Sequence, residues 1–244
     1  MSGECGTARI RAVHRLARIL STALITAGIV VLTDAGLTLL WQEPVSAAYG
    51  SLKQGQASDE LSQLESEFPA SGDIQALSGV VGDAAQAQVL ADRFAARTKQ
   101  GDAMGRIKID RIGLDMVFLQ GTDTATLQRG PGHYPVTPFP GQPGTVAIAG
   151  HRTTYLAPFR RINEIRDGDE IRLVLPYAAF TYEVEKHEIV DPGDVQIIDP
   201  VGYPRLVLTA CHPLYSAAQR WVVFARLRRI DTFALSSEGR WLAP

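Results

Sequence analysis

Cys211 and Arg220 flank a short break between two apolar runs, Leu206-Val207-Leu208-Thr209-Ala210-Cys211 and Trp221-Val222-Val223-Phe224. His151 follows a third such run, Val146-Ala147-Ile148-Ala149, after a single glycine. These residue types suit acyl transfer. A thiol attacks a carbonyl as its thiolate, which neighbouring positive charge favours. An imidazole moves the proton. An arginine, charged at any working pH, offers fixed donors to a developing oxyanion. Consecutive strands commonly pair as neighbours, so a turn between the two runs would let Cys211 and Arg220 meet.

Other chemistries are less well served. His133, between Gly132 and Tyr134, reads as a loop residue that could line a cleft, and His187 reads as a strand residue facing solvent. Cys211 and His212 look like a metal pair, but adjacent strand residues point to opposite faces. No C-x-x-C or H-E-x-x-H spacing occurs, so no metal is expected, and acyl transfer by a thiol needs no organic cofactor. A net charge of -2 gives no basic footing for nucleic acid.

The elements that must carry these residues begin with an anchor. Arg9, Arg11, Arg15 and Arg18 precede the apolar stretch Ile19–Trp41, which is interrupted by Asp34. About 20 mostly apolar residues cross a bilayer. The basic flank predicts a cytoplasmic N-terminus (1–18), a single span (19–41) with Trp41 at the outer interface, and an exported remainder. Val45-Ser46-Ala47 resembles a signal-peptidase site, but the span is longer than a usual signal core, which favours a retained anchor. On that topology Cys5 and Cys211, the two cysteines, face opposite compartments and cannot pair. Cys211 is then either a lone exported thiol or an inert buried one.

Residues 42–105 turn to Gly, Ser, Gln, Ala and acidic residues, with helical patches at Glu60–Phe68 and Ala84–Arg97. They read as a partly helical stalk, or as plain disorder. From Arg106 the apolar period becomes two. Strand-like runs follow at Thr145–Ala149, Glu170–Leu175, Phe180–Ile189, Val195–Ile198, Leu206–Cys211 and Trp221–Leu227. Short strands without long helices between them predict a mainly β domain over 106–230, a mostly antiparallel barrel or sandwich. The tail, 231–244, carries no usable motif.

Ala149-Gly150-His151-Arg152-Thr153-Thr154, Leu208-Thr209-Ala210-Cys211-His212-Pro213 and Arg220-Trp221-Val222-Val223, in that order, resemble the sortases. Gly130-Pro131-Gly132-His133-Tyr134 and the anchor fit as well, and Cys-His-Pro after the strand is most similar to class E sortases of actinobacteria. The resemblance implies a barrel of about eight strands with short helices. It implies a transpeptidase on the outer face of the cell membrane. Cys211 would cleave a C-terminal sorting signal of the Leu-Ala-x-Thr-Gly or Leu-Pro-x-Thr-Gly type between Thr and Gly. His151 would be the acid–base partner and Arg220 the oxyanion or substrate partner. The implied partners are secreted proteins bearing that signal and an amine of a peptidoglycan precursor. Substrate contacts would come from His133, Tyr134, Thr209, Ala210 and His212. Val207 and Ala210 depart from the family's Thr-Leu-x-Thr-Cys pattern. A cysteine hydrolase of wall peptides and a non-enzymatic binding barrel are the alternatives.

Overall fold

The computed structural model describes residues 4–40, 44–232, 234–235 and 241–242, with side chains placed for 14–36 and 46–232. The chain divides at Pro44 into two compact units. The first contains helix α1 (Glu4–Leu40). Its stretch His14–Gly36 is long and apolar enough to cross a membrane by length and composition. Trp41, expected at a membrane interface, and the side chain of Cys5 lie outside the described residues.

The second unit opens with α2 (Pro44–Glu67), α3 (Ser71–Gln75) and α4 (Asp83–Ala95). Strands β1 (Ala103–Ile109) and β2 (Leu114–Gln120) follow, then the short helix α5 (Thr124–Leu127). Next come β3 (Gly132–His133), β4 (Thr145–Ala149), β5 (Glu170–Leu175) and β6 (Ala178–Val190). β7 (Arg205–His212) and β8 (Gln219–Thr232) complete a closed barrel in the order β1-β2-β3-β4-β7-β8-β6-β5. Only β2–β3 and β4–β7 pair in parallel; every other junction is antiparallel. Closure leaves the barrel itself with no open edge.

Alternation along each strand fills the interior. Ile171, Leu173 and Leu175 of β5 point inward with Phe180, Tyr182 and Val184 of β6, and Leu206, Leu208 and Ala210 of β7 join them. The opposite row of β7 is apolar too. Val207 packs with Ala147, Val222 and Phe224, and Ile197 and Ile198 cover them. Those two isoleucines belong to Val195–Ile198, which the sequence suggested as a strand. It is a 3-10 turn. Its end serves side chains instead of a ladder: Arg205 donates to the carbonyls of Ile197 and Asp199, and Thr145 Oγ1 donates to Asp199.

Residues 45–105, read from composition as a stalk, lie against the barrel. Ala87, Leu90, Ala91 and Phe94 of α4 enter the main core, where Phe94 meets Phe139 and Tyr177 at ring distances of 6.0 and 5.4 Å. Ala57 and Leu61 of α2 pack on Val117 and Leu119 of β2. Gln54 extends the docking by hydrogen bonding like an extra strand residue: its Nε2 donates to the carbonyls of Val117 and Arg129, and its Oε1 accepts from the Val117 N–H. Gly130 permits this approach, since a Cβ there would stand 2.3 Å from Gln54 Nε2.

Candidate functional site

Strand register alone brings the three candidate residues to one rim. β4 and β7 run parallel with Ala149 opposite Thr209. Two residues further on come His151, just past the end of β4, and Cys211, near the end of β7. β7 and β8 run antiparallel with Cys211 directly opposite Arg220. Paired residues across such a ladder stand about 4.5–5.5 Å apart at Cα. His151, Cys211 and Arg220 line one cleft of about 240 Å³, together with Thr122, Leu127, Tyr134, Ala149, Gly150, Thr209 and Ala210.

Cys211 is a half-buried free thiol. Arg220 turns its Nη1 onto the carbonyls of Ala217 and Gln219, at 3.0 and 2.9 Å, in the loop closing the hairpin. This anchors the guanidinium within the cleft wall. The His151 Nε2 is buried and has no hydrogen-bond partner among the described residues. Burial lowers the His151 imidazole below its ordinary value, because an apolar surrounding disfavours the charged ring. At neutral pH the ring is therefore uncharged.

His151 is held from two sides. Gly150 before it faces the Phe159 ring so closely that a Cβ would lie 2.5 Å from Phe159 Cδ2. After it, Tyr155 tilts against the imidazole with ring centroids 5.4 Å apart. Tyr155, Leu156 and Ala157 all take left-handed backbone conformations, with φ of 49°, 66° and 42°. Such conformations cost non-glycine residues about 1–3 kcal/mol each and persist only where the surroundings impose them. Here Ser46 Oγ of α2 accepts from the Tyr155 N–H, Gln128 Nε2 donates to the Tyr155 hydroxyl, and Tyr49 packs edge-on against its ring.

The substrate-contact expectations divide. Tyr134, Thr209 and Ala210 line the cleft, and the hydroxyls of Tyr134 and Thr209 share a hydrogen bond of 2.9 Å. Ala210 sends its side chain into the main core, so a polar group there would be buried among hydrocarbon. That accounts physically for an alanine at this position. His133 does not line the cleft. It is a fully buried residue of β3, bonded to Gln120 Oε1 at 2.7 Å and near the Pro138 carbonyl and the Thr137 hydroxyl. Burial drives its pKa down to about 4. His212 is not among the cleft-lining residues either, since alternation turns it from the Cys211 face towards Arg152. His187 is exposed on β6 and stacks on Trp221. Among the described residues, no group of three or more His, Cys, Asp or Glu could hold a metal ion.

Sequence reasoning passes over Tyr155 and Arg152. A cation immediately after the candidate histidine was a usable signal for Arg152. Tyr155 carried none, because its partners lie on α2 and α5.

A family model described as a sortase domain matches residues 107–228. Sortase D of Bacillus subtilis is 32% identical over 187 residues, which cover 75% of this chain and 91% of that protein. The structure of sortase E from Streptomyces avermitilis superposes with a TM-score of 0.51 at 36% identity, over 55% of this chain and 93% of that one. The SrtA sortase from Actinomyces oris gives a TM-score of 0.52 at 31% identity, over 56% and 85% of the two chains.

Proposed function

The chain belongs to the sortase family of cysteine transpeptidases, and from that premise we propose that Cys211, His151 and Arg220 transfer an acyl group from a C-terminal sorting signal to an amine. The observation that carries this is the register of β4, β7 and β8, which gathers the three residues on one cleft.

The steps follow from the positions. Neutral His151 takes the thiol proton as the Cys211 sulfur attacks the threonine carbonyl carbon of the signal's Thr–Gly bond. Arg220 faces the oxyanion that forms. The C–N bond breaks, the glycine nitrogen leaves with the proton from His151, and a thioester remains on Cys211. An amine of a peptidoglycan precursor then attacks the thioester and gives its proton to His151; the C–S bond breaks, the amide product leaves, and His151 returns the proton to the Cys211 thiolate. No metal or organic cofactor enters these steps.

The signal is of the Leu-Ala-x-Thr-Gly or Leu-Pro-x-Thr-Gly type. Relatives named as sortase D and sortase E both resemble the chain, and within this reading the resemblance to class E favours alanine at the second position. Tyr134 and Thr209 shape the wall that meets the signal. Helix α1 anchors the protein in the cell membrane, with the N-terminus cytoplasmic and the barrel outside, where secreted substrates pass.

The decisive experiment incubates the full chain with each signal peptide, with and without an amine acceptor, and follows thioester and products by mass spectrometry. Amine-dependent ligation that disappears in Cys211→Ala is the expected result. Hydrolysis alone in the presence of amine would identify a cysteine hydrolase instead. No covalent adduct with either peptide would leave a binding barrel.

A further inference from the structure

Arg152 lies behind the cleft, 5% exposed. Strand-like alternation sends His151 towards the cleft and Arg152 beneath the end of β7. Its Nη1 reaches the Cys211 carbonyl at 3.3 Å and His212 Nδ1 at 2.9 Å. Its Nη2 donates to Asn163 Oδ1 at 2.8 Å, and its Nε points at the Arg160 carbonyl at 3.5 Å. The Trp221 ring lies 5.8 Å from the guanidinium carbon. A guanidinium has donors only, so in this contact His212 Nδ1 accepts.

Every one of these partners is uncharged, and among the described residues no carboxylate lies within ion-pair distance of Arg152. Burying a cation without a counter-charge is expensive, and such groups are normally paired. Arg205, the other strongly buried arginine among the described residues, sits against the carbonyls of Ile197 and Asp199 and reaches the outer face of the barrel. Arg152 differs in having the thiol-bearing residue itself as a partner. Burial lowers its guanidinium from the usual arginine range, and proximity to Cys211 opposes that shift.

We propose that Arg152 is a positioning residue for the nucleophile: it clamps the Cys211 carbonyl and the His212 ring from behind the cleft and supplies a fixed positive charge whose counter-charge appears only as the sulfur becomes anionic. Two guanidiniums then bracket Cys211, Arg220 across the ladder and Arg152 beneath it. This rests on the reading of Cys211 as the nucleophile.

The test compares wild type, Arg152→Lys, Arg152→Met and Cys211→Ala as full chains, each checked for an intact thermal transition. Steady-state transpeptidation gives kcat and KM, and rapid quench gives the thioester burst. Loss of positioning lowers kcat and the burst rate about a hundredfold in Arg152→Met, with KM within about twofold of wild type. Arg152→Lys, which keeps the charge but not the planar fork, recovers part of that loss. A folded Arg152→Met variant with kcat within about threefold of wild type overturns the proposal. So does a loss confined to KM, or a Lys variant no better than Met. If Arg152→Met does not fold, Arg152→Gln, an uncharged donor, takes its place against Lys under the same criteria. Activity surviving in Cys211→Ala would instead remove the nucleophile reading itself.

Discussion

The Tyr155 ring rests 5.4 Å from the His151 ring, while the Tyr155 backbone N–H donates to Ser46 Oγ of α2 at 3.2 Å. Helix α2 is therefore two contacts away from the proposed acid–base residue. Gly50, one turn after Ser46, meets the same loop: a Cβ there would stand 3.0 Å from Leu156 Cγ and 3.1 Å from the Tyr155 carbonyl carbon. The Gly50→Val variant pushes the loop and tilts Tyr155 away from the imidazole. It should lower kcat about tenfold, because small misplacements of a catalytic group are expensive. Tyr155→Ala should act in the same direction. Unchanged turnover in both folded variants would detach α2 from the chemistry.

Gly150→Ala probes the other side of His151. Its Cβ would enter the Phe159 ring at 2.5 Å, and Phe159 is fully buried in the main core. Core side chains around such a ring are close-packed, so the backbone carrying His151 is expected to shift. Overpacking of this kind costs about 1–3 kcal/mol. Urea denaturation should report that loss, and transpeptidation should fall by more than the unfolded fraction accounts for.

His133 predicts an acid weakness unrelated to catalysis. Its folded pKa of about 4 lies below the ordinary 6.5, so between these values the unfolded chain binds the proton that the folded chain refuses. Stability is full above pH 6.5 and is lost as the pH falls towards 4. The gap between about 4 and 6.5 corresponds to about 3 kcal/mol. The urea midpoint should fall across that window. His133→Gln should be less stable at pH 7, having lost a fitted ring, but should show a shallower decline. An equal decline in both proteins would assign the acid sensitivity to other groups.

The cleft was legible in the sequence because strand-end residues obey simple rules. A glycine and a histidine after one apolar run, a cysteine at the end of another and an arginine opening the next need only register to meet, and the β4–β7 and β7–β8 pairings supply it. His212 fell outside by the same alternation that places Cys211 inside. His133 could not be judged from sequence, since Gly132-His133-Tyr134 looks like a loop until β3 inserts between β2 and β4. The helices of residues 45–105 gave weak periodicity because each buries only a narrow stripe. Their docking depends on single long-range contacts such as Gln54 to Val117, which no local pattern announces.

The lowered pKa of His151 sets the sign of the pH profile. Desolvation favours the neutral ring, and the neutral ring is the form that takes the thiol proton in the proposed attack. Protonation removes that base, so kcat/KM for the signal peptide should fall on acidification. Because the pKa is depressed, the inflection must lie below pH 6.5, not at it. Stability loss through His133 overlaps this range, so initial rates need to be taken after a brief pH jump, before unfolding contributes. Tyr155→Ala opens one face of the imidazole to water, weakens the desolvation and should move the acid inflection upward towards 6.5. An inflection that stays put in that variant would mean that burial by the Tyr155 ring is not what holds His151 neutral.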